Sequence, residues 1–177
     1  AGTNITTTQT IFVYVETGTT PNCTDETSFV VTIVPTPTAD APVDETACDG
    51  YVLPALPAGN GYFTTTGGVG PIAAGTNITT TQTIFVYVET GTTPNCTDET
   101  SFDVTIIPSP TADAPGDETA CAGYVLPALS ADNGYFTTTG GVGPIAAGTN
   151  ITTTQTIFVY VETGTIPNCT DETSFDV

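Results

Sequence analysis

The chain contains no Lys, no Arg and no His, and neither Met nor Trp. Each absence removes a class of function. With 19 acidic residues and no base, the formal net charge is −19. Nothing can neutralise phosphate, so nucleic acid is excluded as a partner, and an anionic membrane surface with it. Without His or Lys, a Ser or Cys nucleophile has no ordinary base. Paired carboxylates could in principle hydrolyse a glycoside. However, Asp25-Glu26, Asp98-Glu99 and Asp171-Glu172 recur beside a turn, with no Trp to stack a sugar. The chain therefore reads as a non-enzyme. Good helix formers are scarce, no segment has a 3.6-residue period, and no apolar run is long enough to span a bilayer. There is no signal-peptide pattern and no starting Met, and the sequence starts inside a repeat, so a segment of a longer chain is expected. Carboxylates without bases repel one another, which favours an extended array.

What is present is a strand, three times. Thr10–Glu16, Thr83–Glu89 and Thr156–Glu162 share the sequence Thr-Ile-Phe-Val-Tyr-Val-Glu, at starts 73 residues apart. In the middle copy Ile84, Val86 and Val88 fall on one face of an extended chain, and Phe85 and Tyr87 on the other. Two apolar faces of β-branched and aromatic residues are the mark of a strand inside a sheet. Residues 1–73 and 74–146 differ at only seven positions, among them Val30/Asp103, Val34/Ile107, Asp49/Ala122 and Gly59/Asp132. Near-identical copies describe a tandem array in which each unit does the same job.

The Pro-rich stretches Pro35-Thr36-Pro37-Thr38 and Pro108-Ser109-Pro110-Thr111 read as stiff linkers. They divide the chain into 1–35, the C-terminal half of a repeat, and two repeats at 36–108 and 109–177. Within 36–108 the pattern predicts a leading segment at Ala39–Ala47 and a strand at Tyr51–Leu53. A hairpin turn is expected at Asn60-Gly61 before a strand at Tyr62–Thr66. A second turn follows at Gly67–Gly70, then an edge segment at Pro71–Ile78 and strands at Thr83–Glu89 and Ser101–Ile107. Phe102, Val104 and Ile106 alternate with Asp103, Thr105 and Ile107; the Val30/Asp103/Asp176 position marks the second face as wet. The fold expected is all-β, a tandem array of small antiparallel immunoglobulin-like β-sandwiches. Residues 1–35 alone cannot bury Ile11, Val13, Phe29 and Val31, so these should pack against residues from outside the segment.

Five cysteines follow the period, at 23, 48, 96, 121 and 169. Two pairings fit. Cys48–Cys96 with Cys121–Cys169 stays inside the domains and leaves Cys23 alone; Cys23–Cys48 with Cys96–Cys121 crosses the linkers and leaves Cys169 alone. The first is preferred, because a 73-residue sandwich has a thin core that a disulfide would reinforce. Disulfides imply an oxidising, extracellular compartment. A Cys48–Cys96 bond would gather Asp44, Glu45, Asp49, Asp98 and Glu99 around one point; Asp117, Glu118, Asp171 and Glu172 would repeat the cluster. These carboxylates either splay into water or converge on Ca²⁺, which takes 6–8 oxygens. No cofactor is required; calcium and covalent glycans are the candidates. Asn4, Asn22, Asn77, Asn95, Asn150 and Asn168 fit the N-glycosylation pattern, and Thr36, Thr38 and Thr111 in the linkers are candidate O-glycan carriers.

The unit running through Thr-Ala-Asp-Ala-Pro, Ala-Cys-Asp-Gly-Tyr-Val-Leu-Pro-Ala-Leu, Thr-Gln-Thr-Ile-Phe-Val-Tyr-Val-Glu-Thr-Gly and Pro-Asn-Cys-Thr-Asp-Glu-Thr-Ser-Phe resembles the repeats of very large surface adhesins of Bacteroidota. The resemblance covers the whole chain. It implies export by the type IX system, many Ig-like domains in series, and a cell-surface or shed fibre that mediates attachment or gliding. The Asp-Ser/Thr-apolar O-glycosylation motif of that phylum is absent here. Three roles are consistent with the sequence. The first is a structural segment of an extracellular fibre or adhesin stalk. The second is a module contacting glycans or other cells. The third is a filament subunit whose half domain is completed by strand addition. The partners expected are further copies of the repeat, in the same polymer or a neighbouring chain.

Overall fold

The computed structural model describes residues 2–177. They form fifteen strands. The first two are β1 (Gln9–Glu16) and β2 (Thr24–Val31). The middle repeat gives β3 (Glu45–Cys48), β4 (Tyr51–Val52), β5 (Asn60–Thr65), β6 (Val69–Ile72), β7 (Asn77–Ile78), β8 (Gln82–Glu89) and β9 (Thr97–Ile107). The last gives β10 (Tyr124–Val125), β11 (Gly134–Thr138), β12 (Val142–Ile145), β13 (Asn150–Ile151), β14 (Thr156–Glu162) and β15 (Thr170–Asp176). The strand orders are β1-β2, β3-β9-β8-β5-β6, β4-β7, β10-β13 and β12-β11-β14-β15. Among the described residues the protein is all-β.

The residues fall into two compact units. One comprises the stretches up to Ala41, Leu56–Pro71 and Phe85–Thr100. In it β1 and β2 make an antiparallel hairpin from Gln9↔Val31 to Glu16↔Thr24. Asn60–Phe63 of β5 pairs with Phe85–Val88 of β8. Phe63 and Tyr87 meet edge to face at 5.8 Å, on the face that carries Phe85 and Tyr87. The other unit comprises Pro42–Ala55, Ile72–Ile84 and Ser101–Val177. It holds a complete sandwich, in which Tyr135, Ile157, Val159, Val161 and Phe175 of the four-stranded sheet pack with Leu126 and Ile151 beside the β10-β13 pair. Full burial of each such side chain contributes about 1.5–3 kcal/mol.

The alternation predicted for the central strand is seen in β8: Ile84, Val86 and Val88 are buried, and Phe85 and Tyr87 are half covered. The hairpin β1–β2 has no such cover. Val13, Val15 and Phe29 are 51%, 61% and 54% exposed, whereas their counterparts Val159, Val161 and Phe175 are 0%, 3% and 2% exposed.

Three local expectations are corrected. Asn60-Gly61 is not a turn: β5 starts at Asn60, and the chain reverses one step earlier, where Asn60 N–H donates to Pro57 O at 3.2 Å. Gly59 takes the positive φ of 89° there. Asp132 takes it at 66° in the next copy, a conformation that Asp tolerates better than most residues. The Asn side chain serves elsewhere, Asn60 Oδ1 accepting Asp40 N–H at 2.9 Å. The segment Pro71–Ile78 divides, its ends joining β6 and β7. The pairing is also not wholly antiparallel: β3 runs parallel to β9, from Glu45↔Val104 to Cys48↔Ile107. The Pro-rich stretch before β3 lets the chain travel along the sandwich and join the last strand from its outer edge.

Candidate functional site

The parallel strand β3 carries Cys48 level with Ile107. There it bonds Cys169, with a Cα–Cα separation of 5.6 Å. The pairings Cys48–Cys96 and Cys121–Cys169 expected from the sequence are therefore not formed; Cys23, Cys96 and Cys121 are free among the described residues. The physical reason is direction. A strand antiparallel to β9 would keep Cys48 near the start of that strand. The parallel one delivers it to the end, where the following repeat presents its own turn. The bond spans 121 residues, one 73-residue period plus the 48 expected within a repeat.

Both sides of the staple are held. After Cys48 the chain turns sharply: Asp49 has φ 59° and its N–H donates to Ile107 O at 3.0 Å. Asp49 Oδ2 accepts the Ser109 hydroxyl at 2.6 Å, and Oδ1 accepts Ser109 N–H at 2.8 Å. These two bonds, the hydroxyl first, hold the Asp49 carboxyl below the ordinary carboxylate range. Beyond, Gly50 leaves room for Asn77, whose Oδ1 would lie 2.5 Å from any Cβ added there. On the other side Cys169 is buried, with Sγ 3.8 Å from Ile107 O. Its turn is clasped by Asn168: Oδ1 accepts Gly164 N–H at 3.0 Å, and Nδ2 donates to Glu162 at 2.7 Å. Thr163 Oγ1 accepts Cys169 N–H at 3.0 Å. The same clasp recurs around Asn22 and Asn95.

The proposed calcium cluster is corrected along with the pairing that implied it. Asp98 Oδ2 accepts Ala39 N–H at 2.8 Å, and Glu99 accepts Gly67 N–H at 2.6 Å. Asp44 accepts Asp103 N–H at 2.9 Å, Glu45 lies in β3, and Asp49 is committed to Ser109. In the next copy Asp171 binds Ala112 N–H, Glu172 binds Gly140 N–H and Asp117 binds Asp176 N–H. Glu118 bonds the Tyr124 hydroxyl, whose pKa is raised, chiefly by burial and then by that carboxylate. Asp98, Glu99, Asp171 and Glu172 thus satisfy donors that the leading segment or a turn leaves without a ladder partner. Among the described residues no group of three or more Cys, Asp or Glu side chains is placed to hold a metal.

The candidate glycan sites divide by role. Asn22, Asn95 and Asn168 spend Oδ1 and Nδ2 inside their turns. Asn77 and Asn150 are exposed, one beside Gly50 and the other beside Gly123. Asn4, Thr36, Thr38 and Thr111 are exposed and lie outside the strands.

No family model and no curated protein matches the chain. Among solved structures it is similar to the protocadherin gammaB7 EC3-6 cis-dimer, at 9% identity and TM-score 0.30, covering 97% of this chain. It is similar also to mouse cadherin-23 EC22-24, at 12% identity and TM-score 0.23, covering 95% of this chain and 73% of that one. The chain spans 58% of the protocadherin chain it matches. Among the described residues no helix is long and apolar enough to cross a membrane.

Proposed function

We propose that the chain is a structural segment of an extracellular fibre or adhesin stalk, built of near-identical Ig-like repeats of a bacterial surface protein and strengthened by disulfides that join each repeat to the next. The observation that carries this is the connectivity of Cys48–Cys169. It is displaced by one full period from an intra-repeat bond, so repeating it along an array ties every unit to its neighbour. A disulfide of this kind suits an oxidising exterior. The absence of Lys and Arg suits it too, since trypsin-like proteases find no site in the sequence. The carboxylates serve as backbone braces and still leave an acidic, unreactive surface.

Antibody raised to the turn sequence around residues 66–70, applied to intact source cells, tests the reading. Surface or shed threads should label without permeabilisation and should survive trypsin. Label appearing only after lysis refutes an exterior fibre.

A further inference from the structure

The aromatic residues of the central strand face away from the core. In β14 they are Phe158 and Tyr160, with Glu162 next on the same side, while Ile157, Val159 and Val161 fill the core. Phe136 of β11 stands level with Phe158 and meets Tyr160 edge to face, with ring centroids 5.8 Å apart and planes at 87°. Gly141 makes room for this arrangement: its φ is 69°, and a Cβ there would lie 3.0 Å from Tyr160 Cδ1. Phe136 and Tyr160 border an open cleft of about 470 Å³ that Asp132 and Glu162 also line. Both rings are half-buried.

The side-chain donors of this cleft are committed. The Tyr160 hydroxyl donates to Glu162 Oε2 at 3.1 Å, and Asn133 Nδ2 donates to Ala131 O at 3.2 Å. Burial, and then Glu162, raises the Tyr160 pKa, so the hydroxyl keeps its proton at neutral pH. Two backbone donors are taken as well, Asn133 N–H by Ser130 O and Gly140 N–H by Glu172. The acceptors are open. Glu162 receives Tyr160 and Asn168 on Oε2, which leaves Oε1. The Asp132 carboxylate accepts no hydrogen bond from the described residues. Asp132 also holds a left-handed φ of 66°, where the middle repeat has Gly59, so nothing in the fold calls for an acid at that corner.

The middle repeat builds the same pair of rings without that acid. Phe63 and Tyr87 meet at 5.8 Å and 84°. Gly68 stands against the Tyr87 ring as Gly141 stands against Tyr160. The Tyr87 hydroxyl donates to Glu89 at 3.3 Å, and Asn95 Nδ2 donates to the same carboxylate at 2.9 Å. Both rings are half-buried there too. Two of the few positions at which the copies differ, Pro57/Ser130 and Gly59/Asp132, fall on this corner.

We propose that the cleft between Phe136, Tyr160, Asp132 and Glu162 binds an arginine side chain of a partner protein. A guanidinium carries five N–H donors and no acceptor, keeps its charge and stacks on aromatic faces. It therefore matches a cleft that offers ring walls and open carboxylate oxygens. A sugar hydroxyl both donates and accepts, and it finds no free side-chain donor here. A phosphate or carboxylate is repelled. A lysine ammonium is a compact, strongly hydrated point charge that cannot stack as a plane. The partner is not a second copy, because this chain contains no Arg. The net charge of −19 draws a basic segment to the surface, and the rings select the guanidinium. The middle repeat offers a weaker site of the same kind, since Gly59 supplies no acid. A stalk built this way also carries docking points along its length, whether or not its repeats are stapled.

The test is an NMR titration of the ¹⁵N-labelled full-length chain with the peptide acetyl-Gly-Arg-Gly-amide, at about 150 mM salt so that diffuse attraction is screened. Saturable shifts are expected at the amides of Asn133, Gly134, Gly141 and Tyr160, and at Gly61 and Gly68 only at higher peptide concentration. The same peptide with citrulline, which has the shape of arginine without its charge, should not bind, and the lysine peptide should bind several-fold more weakly. Phe136→Leu should weaken binding about two- to five-fold, the range of an exposed cation–π contact. Asp132→Gly installs the residue that the middle repeat already accommodates, so it keeps the fold; it should bring the last site down to the affinity of the middle one. The site is overturned if no shifts saturate, if shifts spread evenly over the acidic surface, if the citrulline or lysine peptide binds as tightly as the arginine one, or if Asp132→Gly leaves the affinity unchanged.

Discussion

Opening the internal staple should have a large and specific effect. Cys48→Ala removes a cross-link closing a loop of 121 residues. In the chain-entropy model such a loop restricts the unfolded state by about 5 kcal/mol at 25 °C. For a chain of this size each kcal/mol moves Tm by about 2–4 °C, so a fall of about 10–20 °C is expected in calorimetry or in circular dichroism melts. Cys23→Ala is the control: Cys23 is free and exposed, so its replacement should stay within about 0.5 kcal/mol. Reductant should reproduce the Cys48→Ala melt in the wild type and change the variant no further. Mechanical unfolding gives a second reading. With 121 residues locked behind the bond, the oxidised chain should extend about 400 Å less than the reduced one, at about 3.5 Å per residue. The reasoning is refuted if Cys48→Ala and Cys169→Ala both melt like Cys23→Ala, or if reduction leaves the unfolding length unchanged.

Leu126 is fully buried in the last sandwich, and Leu126→Ala should cost about 2–5 kcal/mol in chemical denaturation; a loss under 1 kcal/mol would mean that the core packs otherwise. The Tyr135 hydroxyl is buried without a hydrogen-bond partner, so Tyr135→Phe should be neutral or stabilise by about 1 kcal/mol, and clear destabilisation would reveal a hidden partner. Because Ser109 lowers the Asp49 pKa, Asp49 contributes stability that is present above the ordinary carboxylate range and lost as pH falls through its lowered value. Ser109→Ala should raise that pKa toward ordinary, followed in the side-chain carbon chemical shift; an unchanged titration would refute the bond. Burial, then Glu118, raises the Tyr124 pKa, so the stability it contributes is present at neutral pH and lost as pH rises beyond about 10. Tyr124→Phe should remove one tyrosinate step from the part of the absorbance titration that lies above the ordinary tyrosine range, and an unaltered profile there would count against it.

Much of the fold was legible because it is written in short-range alternation. Ile84, Val86 and Val88 must share a face of any extended chain, and Asp103 opposite a run of apolar neighbours can only be the wet side. The Asn60-Gly61 signal misled because two uses of Asn compete. As a turn residue it adopts positive φ; as a bracket its amide fills a donor on the leading segment. The residue before it, Gly59 in one copy and Asp132 in the next, shows which use won, since both tolerate the left-handed backbone. That substitution was visible in the repeat comparison and pointed to the true corner.

The cysteines and carboxylates were misplaced for a single reason: a repeat boundary drawn in sequence was taken as a boundary for bonds. Within one repeat, 48 residues separate Cys48 from Cys96, and spacing alone cannot distinguish that pairing from one longer by a period. Strand direction decides it. Proline-rich stretches remove backbone donors, so the chain from Pro35 to Asp44 makes no ladder, and side-chain acceptors must satisfy the N–H groups that remain. Asp98 and Asn60 supply such acceptors, to Ala39 and Asp40, and Asp44 of the segment accepts Asp103 N–H of β9 in return. With no basic residue in the chain, an N–H group is the strongest partner a carboxylate can find, and a charge-assisted bond to it is stronger than a neutral one. The acidic composition, which from sequence suggested a cation site, is thus in large part the means by which a chain rich in proline is fastened to its own sandwich. That fastening sends β3 parallel along β9, and so places Cys48 where only another repeat can reach it.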